Sequence, residues 1–455
     1  MILFLLYAIL LLGIGVWDAM RERRGGAMDS FFVNSRRSGP WLVGISIAAS
    51  CVGGSATLGM AGLAWQAGTP AFWWLGSGAC GLVLLCVFLA RKVRQSGART
   101  MPEMVDFWLG SGRFGWFSPR RLVSLIILPA WLAILAAQFL AMGSLTGVLA
   151  GLEPGPALLA GAALVCAYSA IGGQASVMRS DLPQFCIMLA GLALALLYLV
   201  LHNPPAAWNF RPEFVNSDFP PSRLCYFLAV IGGSYVVCPM LFGRILSARD
   251  ENAALAGCRI GILGILLCAA LVTFLGLAAR GFVPAGTAPD NVLASAMNSM
   301  PPWVAAPLLL ALLSAVLSSS DSCLVTAATV LCNDILRVGE KNLGLSCRAA
   351  ACALGLLGWL LAARGHGILD LLLMANDIYV SGVVAPVFFA MILPRSLAPT
   401  EGISILAVLA GGLLGMAGAV SGLHAPVYAG MAVSGGIILL RACLVFREIR
   451  QPRSA

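Results

Sequence analysis

The chain has 455 residues, of which 60% are hydrophobic and only 10% charged, and its mean hydropathy is +0.93. Soluble domains are nearer half apolar and a quarter charged, so this composition excludes a disordered chain, a disulfide scaffold and almost any soluble enzyme of this length. It indicates an all-α polytopic membrane protein, because lipid can cover so much apolar surface. The net charge of +9 would suggest a nucleic-acid partner in a soluble protein. Here we expect it to report orientation in the bilayer, with no nucleic-acid partner.

Thirteen apolar stretches are long enough to cross a membrane, at roughly 20 residues each. They lie at about 1–18, 40–65, 70–91, 122–150, 154–172, 182–202, 222–243, 255–279, 302–331, 347–363, 368–393, 401–421 and 424–446. The first has no basic residue before it and no small-residue cleavage site after it, so we expect a retained transmembrane helix and not a signal peptide. Between two spans, the segment 281–301 is predicted to form a short surface helix.

The basic residues indicate the orientation of the chain. With the N-terminus outside and the C-terminus inside, 24 of the 28 basic residues fall on the inner side. The four on the outer side are Arg211, Arg223, Arg280 and Arg364. This bias satisfies the positive-inside rule at every inner loop, and it also supports the count of thirteen spans.

Two spans have interrupted helical patterns. The second contains Gly53 and Gly54 at mid-membrane, and the seventh contains Gly232, Gly233 and Pro239. Such positions produce kinks, although small residues at mid-span also serve close helix packing. The two spans are five apart, and broken helices at matching positions of two halves indicate the binding site of a secondary transporter.

The ninth span carries a polar cluster within an apolar helix. Ser314, Ser318, Ser319, Ser320, Asp321 and Ser322 fall within nine residues. Hydroxyls and a carboxylate at membrane depth need partners, and hard cations such as sodium prefer oxygen ligands. The cluster favours an ion site, with serine-mediated helix packing as the alternative.

The sequence offers little evidence of a zinc site, a redox site or an enzymatic site. None of the 14 cysteines forms a C-x-x-C pair, which argues against a zinc or redox site. The sequence has no nucleophile–base pair and no phosphate-binding loop. We therefore expect no enzyme and no organic cofactor.

Several motifs in order along the chain resemble the sodium/solute symporter family over roughly residues 30–400. They are MDSFFVNSRRSGPWLVGISIAAS, RTMPEMVDFWLG, YSAIGGQASVMRSDLPQF, PMLFGRILSARDENAA and SAVLSSSDSCLVTAATVLCNDIL. The third is similar to a Y-x-x-x-G-G…D-x-x-Q motif through Tyr168, Gly172, Gly173, Asp181 and Gln184. The last is similar to the family's S-T-x-D-S-x-L…D signature.

The resemblance implies a leucine-transporter-like fold with two inverted five-helix repeats. The expected organisation is an N-terminal helix and loop over 1–37, repeats over 38–202 and 203–393, and two C-terminal helices with a basic tail over 394–455. It also implies that sodium is held by the carbonyls of Ala49, Val52 and Ala315 and the hydroxyls of Ser318 and Ser319. Asp181 matches an acidic residue implicated in sodium release.

The resemblance also implies a substrate site, at Gly53, Ala56, Ser234, Tyr235 and Asp377. Gly53 and Ala56 offer no hydrogen-bonding side chain, which argues against a sugar as the substrate. Asp377, several turns inside the eleventh span, could pair with a substrate amine or take up a proton, or it could lie in a shallower watered vestibule. Asp321 is a further polar intramembrane residue to test.

The sequence therefore predicts a multi-pass protein of the cell inner (plasma) membrane that imports a small organic solute with sodium by alternating access. An amino acid, an organic acid or a similar small solute is favoured over a sugar. The alternatives are a proton-coupled or facilitated carrier on the same fold, and a transporter-like membrane sensor.

Overall fold

A computed structural model describes residue 13 and residues 28–110, 115–169, 173–202, 208, 212–364 and 367–450. This part of the chain is helical, and its only extended pairing is an isolated bridge between Ser38 and Ala248. Of the predicted features, the span 1–18 apart from Gly13, residues 170–172 of the fifth span, Gly172 of the third motif and Arg211 lie outside the described residues, as does the side chain of Tyr168.

The helices follow one another with short connections. In chain order they are α1 (Met28–Val33), α2 (Pro40–Cys51), α3 (Ser55–Ala67), α4 (Thr69–Gln95), α5 (Met101–Leu109), α6 (Pro119–Ala150), α7 (Pro154–Ser169), α8 (Gln174–His202), α9 (Pro221–Ser247), α10 (Glu251–Gly281), α11 (Val292–Asn298), α12 (Pro302–Ile335), α13 (Glu340–Ala362), α14 (Ile368–Ile392), α15 (Glu401–Ser421) and α16 (His424–Ile449). The predicted short helix between spans corresponds to α11. Inner and outer refer below to the orientation predicted from the charges.

By length and composition, ten of the described helices can cross a membrane, and α2 with α3 forms an eleventh span bent by 67°. All eleven coincide with predicted spans. The predicted fifth span corresponds to α7, whose 16 residues are fewer than the roughly 20 that a straight span needs. The count of thirteen therefore stays a prediction.

Both predicted helix breaks are present, but the break in α9 does not lie at the glycines from which it was predicted. Val52, with φ −105° and ψ 80°, ends α2 directly before Gly53. In α9 the extended residues are Val237 and Cys238, whereas Gly232 keeps helical dihedral angles. Pro239 explains this shift, because a proline pushes the residue before it out of the helical region.

Two helices extend further than the apolar runs suggest. The sixth predicted span begins at Gln174, so that Asp181 lies inside α8, and the seventh continues to Ser247, so that Arg244 lies inside α9. The charge count treated Arg244 as part of an inner loop, but its side chain is completely buried.

Glycines allow particular pairs of helices to approach closely. A Cβ atom at Gly44 would overlap Ile260, which joins α2 to α10, and one at Gly81 would overlap the carbonyl oxygen of Gly232, which joins α4 to α9. In the same way, Gly276 joins α10 to α3, Gly191 joins α8 to α12, Gly161 joins α7 to α6, and Gly355 joins α13 to α7. Two closely packed groups result, one of α2, α3, α4, α9 and α10 and one of α6, α7, α8, α12 and α13.

The helix α12 lies at the centre of the structure. Every side chain from Ala311 to Val330 is buried, including the whole serine cluster. Helices α6 and α8 pack along it, and α2 meets it near its middle. The polar residues of α12 therefore face protein and not lipid.

The two C-terminal helices pack on α14 at a π-helical turn, Val380–Val384. The Ser434 hydroxyl donates to the carbonyl oxygen of Ser381 at 2.8 Å, and the Ser381 hydroxyl donates to the carbonyl oxygen of Val427 at 3.0 Å. A Cβ atom at Gly411 would overlap the Ser381 carbonyl. The pair is thus joined to α14 by main-chain contacts.

Gly81→Ala is expected to lower the free energy of unfolding by about 1–3 kcal/mol, the usual cost of overpacking a buried contact. The matched control is Gly436→Ala, whose added methyl group would meet nothing within 4 Å. Thermal unfolding of the detergent-solubilised protein measures both. Equal melting temperatures for the two variants would contradict the close contact between α4 and α9.

Candidate functional site

The break between α2 and α3 lies against α6 and α12. The backbone N–H of Gly54 donates to the Gln138 side-chain oxygen on α6 at 2.8 Å. A Cβ atom at Gly53 would come within 2.6 Å of that oxygen and 2.7 Å of the Ser319 hydroxyl. A side chain at position 53 therefore has no room, and Gln138 replaces the hydrogen bond that the broken helix gives up.

The residues predicted to hold sodium lie on the two helices that meet at this break. Ala49, Val52, Ala315, Ser318 and Ser319 are all buried. The Ser319 hydroxyl donates to the carbonyl oxygen of Ser50 across the contact of α2 with α12 at 3.1 Å. A main-chain carbonyl near the end of one helix thus adjoins a hydroxyl of the other, and oxygen ligands of these two kinds suit a hard cation. Their part in sodium binding stays a prediction.

Asp181 is joined directly to one of these serines. Its carboxylate, which is fully buried, accepts from the Ser318 hydroxyl at 2.6 Å and from the Ser46 hydroxyl at 2.5 Å. The Arg244 guanidinium lies 3.7 Å from the same carboxylate. Sequence reasoning missed Arg244, although a single basic residue in the apolar run PMLFGRIL was a visible signal.

Asp321 is buried on α12, and its carboxylate accepts the backbone N–H of Ser322 at 2.8 Å. The two residues are neighbours in the chain, so this contact is local. Asp321 is therefore beside the polar cluster that contains Ser318, and its role stays a prediction.

A cavity of about 70 Å³ lies beside the two helix breaks. Its wall combines aromatic, sulfur-containing and neutral polar side chains with a few aliphatic ones. The aromatic and polar members are Trp74, Trp131, Tyr235, Ser50, Ser55, Gln138, Ser234, Ser319 and Asn376, and the sulfur-containing members are Cys51, Cys238, Met240 and Cys323. Within the described part of the chain, no charged side chain lines this cavity.

The predicted substrate residues are only partly united there. Ser234 and Tyr235 line the cavity, whereas Gly53, Ala56 and Asp377 do not. Asn376 contributes to the wall, while the neighbouring Asp377 accepts from the Tyr226 hydroxyl at 2.6 Å. The ring of Tyr226 packs on His424 of α16, with 3.8 Å between ring centroids. Asp377 thus faces α9 and α16.

A larger cavity, of about 640 Å³, lies at the outer end of α6. Small residues of α6, α7 and α11 form much of its wall, and the Ser144 hydroxyl donates to Asn291 at 3.2 Å beside it. None of the predicted site residues lines it. The smaller cavity is therefore the better candidate site, because it adjoins both helix breaks and the serine cluster.

At the inner end, the second motif, RTMPEMVDFWLG, forms part of a polar network. The Thr100 hydroxyl and the Arg120 guanidinium both donate to Asp334 at the end of α12, at 2.9 Å each. Arg120 also pairs with Asp106 on α5 at 3.1 Å. Burial raises the pKa of Asp106, and the adjacent Arg120 guanidinium offsets part of that rise. The network joins α5, α6 and α12 on the side predicted to face the cytoplasm.

Gln138→Leu is expected to cost about 1–3 kcal/mol of stability, because it leaves the Gly54 N–H at the helix break without its acceptor. Gln184→Leu is the matched control, since among the described residues the buried Gln184 amide has no hydrogen-bond partner. Thermal unfolding compares the two. A loss of stability in Gln184→Leu as large as that in Gln138→Leu would contradict the assigned role of Gln138.

Known transporters resemble the chain along most of its length. The chain is 23% identical over 353 residues to the sodium/pantothenate symporter of Haemophilus influenzae, covering 73% of this chain and 71% of that protein. It is also 23% identical over 434 residues to the high-affinity choline transporter 1 of Caenorhabditis elegans, covering 86% and 73%.

Solved structures with the same fold cover nearly the whole chain. A Na⁺-coupled sialic acid symporter in an outward-open state superposes with a TM-score of 0.77 at 14% identity, covering 99% of this chain and 97% of that one. The nucleobase-cation-symport-1 family transporter Mhp1 superposes with a TM-score of 0.61 at 15% identity, covering 92% and 95%. At these identities the likeness shows the fold alone, which is leucine-transporter-like.

The sequence profile described as the sodium:solute symporter family matches residues 31–402, which is most of the chain. This confirms the family expected from the motifs. The chain belongs to the sodium:solute symporter family.

Proposed function

We propose that the chain is a sodium-coupled symporter that imports a small organic solute across the plasma membrane by alternating access. The single observation that carries this proposal is the meeting of the broken end of α2 with the hydroxyls of α12 beside a cavity. Ser319 takes part in both features, since it bonds to the Ser50 carbonyl and lines the cavity. Membership of a family of transporters supports the same interpretation.

The mechanism follows from where the two ligands would bind. Sodium held between α2 and α12 would stabilise the arrangement in which these helices touch, and the same contact forms one wall of the cavity. Each ligand then favours the state that binds the other, which is coupling in the thermodynamic sense. A membrane potential of about 100 mV adds roughly 2.3 kcal/mol for each charge carried inward.

Asp181 offers a route for releasing the ion. Its carboxylate already accepts a hydrogen bond from Ser318, so a sodium ion leaving the serines meets a carboxylate one hydrogen bond away. Asp181 lies in the first turns of α8, toward the predicted inner side. This supports the release role expected from the motif.

The two breaks also support the proposed repeats. The bent pair α2 and α3 opens one series of five spans, with α4, α6, α7 and α8, and α9 opens a second, with α10, α12, α13 and α14. We propose that these series are inverted repeats over 38–202 and 203–393, with the N-terminus outside, the C-terminus inside and thirteen spans in all.

For the substrate we favour an amino acid, an organic acid or a similar small solute over a sugar. The candidate cavity is small and largely apolar, and Gly53 and Ala56 at the neighbouring helix break have no hydrogen-bonding side chains. Asp377 remains a proposed contributor only through movement of α14, because Tyr226 engages its carboxylate.

The substitution pair Ser318→Ala with Ser319→Ala is expected to abolish sodium-stimulated uptake while the protein stays folded. Loss of two oxygen ligands should weaken sodium binding at least about tenfold, equivalent to about 1.4 kcal/mol, so that uptake no longer responds to sodium at concentrations that saturate the unmodified protein. Ser314→Ala is the control, because this buried serine lies on the same helix and its hydroxyl has no partner among the described residues. Uptake that kept its sodium dependence in the double variant would overturn the site.

A thermal-shift screen of the purified protein is expected to identify the substrate class. Amino acids, short carboxylates, nucleobases and vitamins form the panel, each measured with sodium and with sodium replaced by potassium at fixed pH. For a symporter, we expect one class of solute to stabilise the protein only when sodium is present. Stabilisation that depends on pH and not on sodium would instead favour the proton-coupled carrier.

A further inference from the structure

The first turn of α6 carries positive charge at the end of the helix that favours it least. Two arginines, Arg120 and Arg121, directly follow Pro119 at the start of this helix. A helix N-terminus carries a partial positive charge, so a basic side chain there is unfavourable unless an anion lies close. Arg120 has such partners, because it pairs with Asp106 and Asp334. Arg121 takes part in none of the ion pairs formed among the described residues.

Arg121 lies at the inner end of the exposed face of α6. Leu125, one turn further along the same face, is 46% exposed. Directly before the helix, the turn Gly115–Phe117 exposes two aromatic side chains, Trp116 at 58% and Phe117 at 62%. Aromatic side chains concentrate where the hydrocarbon of a bilayer meets its headgroups. We therefore expect Arg121 to lie at the level of the inner headgroups.

The Arg121 guanidinium is held in position while most of its donors are unused. It lies 4.3 Å from the centre of the Trp116 ring and donates to the carbonyl oxygen of Gly115 at 3.4 Å. Its Nε atom has no hydrogen-bond partner among the described residues. A guanidinium has five N–H donors, and their planar arrangement matches the oxygen atoms of a phosphate. Its position and its free donors thus suit a phosphate ligand.

A second unsatisfied group lies at the same end of the helix. Ser118, the N-cap residue of α6, is 1% exposed, and its hydroxyl has no hydrogen-bond partner within the described part of the chain. An N-cap serine ordinarily accepts a hydrogen bond from the first turn, but this one does not. The N–H groups of the first turn therefore lack a side-chain cap, and such groups bind anions readily. The buried hydroxyl and the unpaired guanidinium point independently to the same kind of ligand.

We propose that an anionic phospholipid of the inner leaflet binds at the start of α6. Its phosphate lies against Arg121, Ser118 and the N–H groups of the first turn, and its acyl chains follow the exposed face at Leu125. A lipid is favoured over a free anion because Trp116 and Phe117 expose apolar surface beside the charge. The inference goes beyond the transport function and does not depend on sodium coupling.

The test measures lipid binding by the purified protein in detergent, with phosphatidylglycerol and phosphatidylcholine as probes. Native mass spectrometry counts the bound lipids, and thermal shift gives their apparent affinity. The unmodified protein is expected to bind phosphatidylglycerol more tightly than phosphatidylcholine. Arg121→Ala should weaken phosphatidylglycerol binding about tenfold, because it removes charge-assisted hydrogen bonds to the phosphate. Trp116→Ala should weaken binding in the same direction, and it keeps the test decisive if Arg121→Ala does not fold.

Arg249→Ala is the matched control, because Arg249 is an exposed arginine on the same predicted side and pairs with Asp250. It removes the same charge and should leave phosphatidylglycerol binding unchanged. Equal weakening in this control would show a general attraction to the basic inner surface and would overturn the site. Stabilisation by inorganic phosphate as large as that by phosphatidylglycerol would overturn the lipid as its ligand. Equal binding of the two lipids, or unchanged binding in the Arg121 and Trp116 variants, would likewise contradict the inference.

Discussion

The structure depends on one constraint, which is that backbone polar groups at membrane depth must find partners within the protein. Each helix break frees such groups, and a side chain from a neighbouring helix takes up one of them. Gln138 of α6 accepts the Gly54 N–H, and Tyr379 of α14 donates to the carbonyl oxygen of Val237 at 2.5 Å. Because these partners come from different helices, satisfying the breaks also draws α6, α9 and α14 together around the candidate cavity.

Buried charged side chains must also find partners within the protein, and leaving one unpaired costs more free energy than leaving a backbone group unpaired. The described structure contains two buried ion-pair centres that join distant helices, one of Asp181 with Arg244 and one of Asp334 with Arg120. The first lies beside the predicted sodium residues and the second at the inner end of α12. Since removing one partner of a buried pair leaves the other charge unpaired, the first centre restricts independent movement of α8 and α9, and the second restricts that of α6 and α12.

The sequence predicts the spans well, because a helix that faces lipid must be apolar over its whole length. It also locates the first break, since Gly53 and Gly54 adjoin it. The roles of Arg244 and Gln138 could not be predicted, because their partners lie on other helices and become neighbours only in the folded chain. The residues of the cavity wall could not be predicted for a similar reason. Asn376 and Asp377 are neighbours in sequence, but their side chains point about 100° apart around α14, and only Asn376 lines the cavity. The local sequence pattern therefore predicts the helices and their breaks. Which residues contact each other depends on the tertiary arrangement.

The glycine contacts within the two helix groups have a kinematic consequence. Helices that approach closely at glycines resist sliding past each other, so we expect α2, α3, α4, α9 and α10 to move largely together, and α6, α7, α8, α12 and α13 to move as a second group. The two groups meet where α2 contacts α12, at the hydrogen bond from Ser319 to Ser50. An ion bound at this contact would hold the two helix groups together, and its release would free both groups to move.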